Sequence, residues 1–306
     1  MPRFEIDILG CGAAKPTLKH MPTSQVVNVR DKLFMIDCGE GAQISFARAR
    51  LNITRLGHIF LSHLHGDHCF GLFGLISTMG LSGHTGELVI HAHPDAEQVF
   101  RPMLNYFCRE NPFEVRFNPI SPSTSEVIYS DRSVTVRSLP LRHRVPACGF
   151  LFQEAEGERH LRGDVAAFYD IPAYMRQAIK QGADFVTADG RTIPNEQLTT
   201  PPTPAVSYAY CSDTLYTERI VPLIEGANLL YHEATYAHDL EYQARQTFHS
   251  TARQAATIAQ KAQVGQLIIG HFSSRYNDET VLLNEAREIF PNTQLAREGM
   301  RVVLRR

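Results

Sequence analysis

No stretch of this 306-residue chain approaches the ~20 consecutive apolar residues that a membrane span needs. The opening MPRFEIDILG also lacks the apolar core and cleavage site of a signal peptide, so the expected location is the cytoplasm. Paired cysteines are missing too: the six (Cys11, Cys38, Cys69, Cys108, Cys148, Cys211) stand singly, with no CxxC. That spacing argues against a disulfide framework and against a thiolate zinc motif. Charge of one sign is lacking as well, with Lys+Arg 30 against Asp+Glu 32 and a net charge of -2, which excludes an overall basic nucleic-acid binder. Any RNA partner must be met by a local surface or by a metal. No short fixed repeat is present. What remains, 43% hydrophobic and 20% charged residues, is the composition of a globular protein with a sizeable core.

Apolar patterning sets out an α/β chain. FEIDILGCG and VVNVRDKLFMIDCGEG read as short strands separated by Gly-containing turns. HIFLSHLHGDHCFGLFGLISTMG reads as a buried strand, a His/Asp loop and an apolar helix, and ELVIHAHPDAEQVFRPML repeats that order. EVIYS and SVTVRSLPL return to strands. From Gln153 to the Pro-rich TTPPTP about fifty residues are polar and dotted with Arg, with little core pattern. SYAYCS, NLLYHEA and QLIIGHF are further strands, and Ala252, Ala255, Ala259 and Ala262 predict a helix from Ser250 closed by Gly265. Each half runs strands first and helix later, which suggests two sheets packed face to face with helices outside.

HLHGDH places His63, His65, Asp67 and His68 within six positions beside an apolar run. With 14 histidines in 306 residues, three at preset positions arise by chance roughly once in ten thousand starts, so accident is a poor explanation. Imidazole and carboxylate are ligands for zinc-like metals and are costly to bury unsatisfied. His143 in SLPLRH, Asp213 in YAYCSD and His271 in QLIIGH each follow an apolar strand, where a rigid element can aim a functional group. Seven such side chains exceed the needs of one tetrahedral ion that keeps an open position. They suit two ions sharing a carboxylate, a centre that hydrolyses esters and especially phosphodiesters. Glu233, in HEAT, is a candidate to orient His249, in HST, as a general acid. Asp37 is a candidate partner of a ligand imidazole or a turn cap. His91 and His93 imitate the HxH spacing without a following Asp-His, and His20, His58, His84, His160 and His238 are single; ordinary structural roles are expected for all of them.

HLHGDH, then His143, Asp213 and His271, with HEATY at 232–236, FHST at 248–251 and GHFSSRY at 270–276, resemble the ribonuclease Z family of the metallo-β-lactamase superfamily. The resemblance runs from GCGAAKPT to at least Tyr276. It implies a four-layer αββα sandwich, residues 1–306 forming a single metallo-β-lactamase-like domain with a short inserted arm at 153–204. It implies two zinc ions per subunit, or manganese or another divalent metal. His63, His65 and His143 would hold one ion, Asp67, His68 and His271 the other, with Asp213 bridging, Asp67 as general base, and Glu233 and His249 as the proton-donating pair. The implied reaction is removal of the 3′ trailer from precursor tRNA, leaving a 3′-hydroxyl on the tRNA, by a cytoplasmic homodimer. A small-molecule phosphodiesterase or arylsulfatase of the same superfamily is the alternative. Many members carry a PxKxRN-type loop where this chain reads KPTLKHMPTSQ, with Lys19 and His20 but no Arg-Asn pair. Bacterial relatives also extend a long arm with a Gly-Pro element, whereas this one is short and reads YDIPAYMRQ, offering Arg159, His160, Arg162, Arg176, Lys180 and Arg191 to a phosphate backbone.

Overall fold

The computed structural model describes residues 4–305. The chain divides into two compact units, one running to Gln153 and resuming at Val206, the other spanning Glu154–Ala205.

In the larger unit two seven-stranded mixed sheets face each other across one apolar core. The first contains the strands Phe4–Gly10, Ser24–Val29, Lys32–Cys38, Leu56–Phe60, Gly86–Ala92 and Phe113–Pro119, with Arg301–Val303 on its far edge. The second orders Thr293–Leu295, Leu267–Gly270, Leu229–Glu233, Ser207–Cys211, Cys148–Glu154, Val134–Pro140 and Val127–Ser130. Because side chains alternate along a strand, the strands Phe4–Gly10, Ser24–Val29, Lys32–Cys38 and Leu56–Phe60 of the first sheet supply two cores at once. Phe34 and Ile36 enter the core between the sheets, while Leu33, Met35 and Cys38 pack outward with Phe46, Leu75, Ile76 and Phe100 from the covering helices. Burial on both faces explains why these strands read as continuous apolar runs. Ala252, Ala255 and Ala259 of the helix Ala252–Lys261 belong to the core of the second sheet, completing the four layers.

Register matters more than layering for function. Ser207–Cys211, Leu229–Glu233 and Leu267–Gly270 run parallel, with Cys211 opposite His232 and Glu233 opposite Gly270. Their C-terminal ends therefore stop at one level, and the residues just beyond them lie in a row.

Three local expectations change. The predicted helix from Ser250 begins at Ala252, because Thr251 is its N-cap, joined to Gln254 in a reciprocal capping box. It is not closed by Gly265: Gln263 takes the left-handed conformation (φ 52°), and Gly265 instead lies so close to Asn228 that a Cβ would stand 2.8 Å from its carbonyl oxygen. The stretch with little apparent core pattern has a small core of its own, formed by Ala166, Ile171, Ile179, Phe185, Ile193 and Leu198. Asn195 satisfies the backbone inside it, donating to the carbonyls of Ile179 (2.6 Å) and Ala183 (2.8 Å).

Candidate metal centre

The candidate metal ligands, with Glu233 and His249, gather around a cleft of about 490 Å³ lined by His65, Asp67, His143, Asp213, His249 and His271 among others. Leu56–Phe60 delivers His63 and His65, the one-turn helix Gly66–Cys69 carries Asp67 and His68, and the second sheet brings His143, Asp213, Glu233 and His271. Gly71 makes the turn after His68 compact, since a Cβ there would lie 2.0 Å from the Gly39 carbonyl oxygen. Asp37, Asp213 and His271 all adopt positive φ (55°, 50° and 60°). Such backbone costs on the order of 1 kcal/mol or more per residue and persists where surrounding contacts enforce it.

Two groups of ligand atoms result. In the first, His63 Nε2 is 3.0 Å from His65 Nδ1, and His143 Nε2 is 3.2 Å from the same atom. Asp213 Oδ2 lies 3.7 Å from both His63 Nε2 and His143 Nε2. In the second, Asp213 Oδ1 is 3.2 Å from His68 Nε2 and 3.0 Å from His271 Nε2, and Asp67 Oδ2 is 3.6 and 3.8 Å from those nitrogens. Asp213 thus turns one oxygen to each group.

These atoms fit divalent cations. Two donors about 2.0–2.1 Å from one tetrahedral ion stand about 3.3 Å apart, the spacing seen here. His68 Nε2 and His271 Nε2 are buried without a hydrogen-bond partner, a costly state unless a cation takes the lone pairs. The opposite ring nitrogens of four of the five imidazoles are held: His63 Nδ1 by Ser62 Oγ (3.0 Å), His68 Nδ1 by Asp37 (2.8 Å), His143 Nδ1 by the Phe248 carbonyl (3.0 Å) and His271 Nδ1 by Thr235 Oγ1 (2.9 Å). Outer contacts of this kind fix tautomer and ring orientation in metal sites. Of the two roles open to Asp37, the structure shows the partner: its carboxylate also accepts from Ser62 N (2.7 Å), Ser62 Oγ (2.9 Å) and Tyr210 Oη (2.7 Å).

Electrostatics follow burial and neighbours. Burial, reinforced by His68, drives His63 well below the ordinary histidine range, so it presents a neutral ring. Burial would raise Asp67, but His271 and His68 hold its carboxyl below the usual range, and the Ala14 amide donates to its Oδ2 at 2.8 Å. Glu233 is fully buried and accepts from Thr214 N (2.7 Å), Thr235 Oγ1 (2.6 Å) and His249 Nδ1 (2.9 Å). Burial pulls His249 down, yet the Glu233 charge and hydrogen bond outweigh it and hold the ring at about 9.

Comparison with known proteins adds to this geometry. A protein named Ribonuclease Z from Phocaeicola vulgatus is 54% identical over 302 residues, covering 99% of this chain and 98% of the relative. Another of that name from Bacteroides thetaiotaomicron is 56% identical over 304 residues, covering 99% and 96%. The chain belongs to the ribonuclease Z family. Among solved structures, human tRNase Z, short form, superposes with a TM-score of 0.70 at 22% identity, covering 97% of this chain and 98% of that one. The metallo-beta-lactamase fold protein YhfI from Bacillus subtilis gives a TM-score of 0.70 at 18% identity, covering 99% and 100%. The fold is accordingly the αββα sandwich of the metallo-β-lactamase type. Residues 4–156, half of the chain, also match the family model described as Anti-Pycsar protein Apyc1. That match includes HLHGDH and His143 but ends before Asp213, Glu233, His249 and His271, so it does not reach the residues that complete the site. Membership of the ribonuclease Z family and the two donor groups together imply use of divalent metal.

His91 and His93, for which structural roles are expected, stay outside this centre, and so does His232 of the HEAT motif. His91 is buried against His58 (3.1 Å) and Asn118 (2.9 Å), and His93 caps its own turn near Asp95. His232 lies in the strand behind Glu233, with Nδ1 against the Glu233 carbonyl (2.8 Å). What the sequence reading missed is the loop after the first strand. Ala14 holds Asp67 there, and Lys19 and His20 are ion-paired with Glu279 and Glu298 rather than free. The GCGAAKPT turn was the available signal, but the partners of Lys19 and His20 lie more than 250 residues away.

Proposed function

We infer that this chain is a metal-dependent endoribonuclease that cleaves the phosphodiester bond joining the 3′ trailer to precursor tRNA, leaving a 3′-hydroxyl on the tRNA. The observation that carries this reading is the Glu233–His249 pair at 2.9 Å, set beside two donor groups that share Asp213, in a chain 54–56% identical to Ribonuclease Z relatives over nearly its whole length.

We assign two zinc ions per subunit: His63, His65 and His143 would hold one and Asp67, His68 and His271 the other, with one Asp213 oxygen available to each. When bound, such ions supply an activated water and neutralise charge on phosphoryl oxygens. Asp67, oriented by the Ala14 amide, receives the proton of the attacking water. Glu233 keeps His249 protonated through Nδ1, leaving Nε2 to deliver a proton to the departing 3′ oxygen.

The segment 153–204 is assigned as an arm that meets tRNA by shape and phosphate contacts. Within it Arg159 is bonded to Thr199, Arg162 to Asp164, and Arg191 lies over Tyr169, so these cations are held in place at its surface. We further propose a homodimer acting in the cytoplasm. Val99, Met103, Tyr106 and Phe107 are exposed along one side of the helix Asp95–Phe107, an apolar surface suited to a second copy. No helix among the described residues is long and apolar enough to cross a membrane.

The test is to incubate metal-analysed protein with precursor tRNAs with and without an encoded CCA and map the new ends. Trailer removal with a 3′-hydroxyl is expected. Its absence, with turnover of a generic phosphodiester instead, would point to the small-molecule phosphodiesterase reading. A monomeric mass in solution with full cleavage would defeat the dimer.

A further inference from the structure

A second set of metal-type donors closes around the turn after the first strand, apart from the His/Asp centre. Cys11 Sγ is 3.4 Å from His20 Nδ1 and 3.5 Å from Glu298 Oε1, and those two atoms are 3.1 Å apart. Around a tetrahedral zinc-type ion, thiolate, imidazole and carboxylate donors are separated by about 3.4–3.6 Å. The triangle therefore matches one face of such a site to within about 0.3 Å.

The surroundings are those of a ligand set. His20 Nε2 is engaged by Glu279 Oε1 at 3.2 Å, which leaves Nδ1 to offer a lone pair, and Glu279 is itself held by Lys19. This carboxylate behind an imidazole is the usual outer contact of a metal-bound histidine. The Met21 amide fixes Glu298 Oε1 at 3.0 Å, and the Ala296 carbonyl lies 3.6 Å from Sγ as a further oxygen donor. Cys11 is fully buried, while Glu298 lines a surface cleft of about 540 Å³ that gives a route of entry. A thiolate and a carboxylate would neutralise a divalent cation there, and a cation of that charge deprotonates a coordinating thiol.

We propose that Cys11, His20 and Glu298 form an additional mononuclear site for a zinc-type divalent cation, fastening the loop that contains Ala14 to the C-terminal segment. The loop's Ala14 amide is bonded to Asp67, so this site would brace the edge of the main centre without belonging to it.

The experiment is cobalt(II) loading of the chelator-stripped full chain, followed by absorption spectroscopy and metal counting. The His/Asp centre contains no thiolate, so a thiolate-to-cobalt charge-transfer band reports the proposed site alone. Wild-type protein is expected to show that band, and Cys11→Ser to lose it together with one equivalent of cobalt, while retaining the ligand-field bands of the histidine sites. Glu279→Gln should keep the band at saturation but weaken cobalt binding at this site by about 10–100-fold. If Cys11→Ser fails to fold, the wild-type band and its Glu279→Gln dependence decide. Absence of a thiolate band in wild-type protein, or its persistence in Cys11→Ser, would overturn the proposal and leave Cys11 and His20 as hydrogen-bonding partners of Glu298.

Discussion

Glu233 and His249 meet at 2.9 Å with the carboxylate fully buried and the ring at the cleft. A buried carboxylate is tolerated because it accepts four hydrogen bonds, three of them from the adjoining Thr214 and Thr235. Removing the ring should therefore remove proton delivery without removing substrate. We expect His249→Ala to lower the single-turnover rate on precursor tRNA by about 10²–10⁴-fold with binding little changed. Glu233→Gln should lower the rate too and shift the alkaline limb of the pH–rate profile to lower pH, because the ring loses the charge that holds its proton. An unmoved limb would separate the pair's roles.

Asp67 stands where the Ala14 amide and both histidines of the second donor group meet. Asp67→Ala should abolish trailer removal while gel-shift binding of tRNA survives. Persistent cleavage would show that another group takes the proton.

Asp37 touches no position where substrate can sit, yet four donors converge on it. Asp37→Asn would place an amide where only an acceptor fits. Metal affinity should fall by about 10–100-fold, read by competition with a chromophoric chelator. Unchanged affinity would mean that His68 is oriented without it.

The pair His58 and His91, 3.1 Å apart, gives a pH signature of its own. Burial, with Arg116 adding to it, lowers His58 to about 4, and burial, with His58 adding to it, lowers His91 to about 3. Unfolded histidines titrate near 6.5, so the unfolded chain gains protons first as pH falls. Stability from this pair is complete above about 6.5 and is lost between there and about 3, by on the order of 1 kcal/mol per pH unit for each ring until that ring itself titrates. Urea midpoints at several pH values should drop more steeply in wild-type protein than in a His58→Leu, His91→Leu variant. Parallel curves would contradict the assignment.

The layered fold was legible because its strands bury both faces and so read as unbroken apolar runs. The seven proposed ligands were legible because each follows such a run, where chain direction alone brings it to the sheet end. The helix start at Ala252 was misplaced because Ser250 and Thr251 are both capping types, and only the bond to Gln254 decides between them. The core of Glu154–Ala205 was hidden because six apolar residues scattered among short elements show no period. The cluster of Cys11, His20 and Glu298 has no local pattern at all, since its members are separated by up to 287 residues.

His63, His65, Asp67 and His68 come from one sheet, and His143, Asp213 and His271 from the other. The centre is therefore a seam, and a cation bound across it is coupled to folding itself. Free metal at a thousandfold excess over its dissociation constant adds about 4.1 kcal/mol to the work of separating the two sheets. Chelation should return that energy as a lower melting temperature. The melting curve of this enzyme would then serve as a gauge of its metal affinity, readable with no RNA in the cuvette.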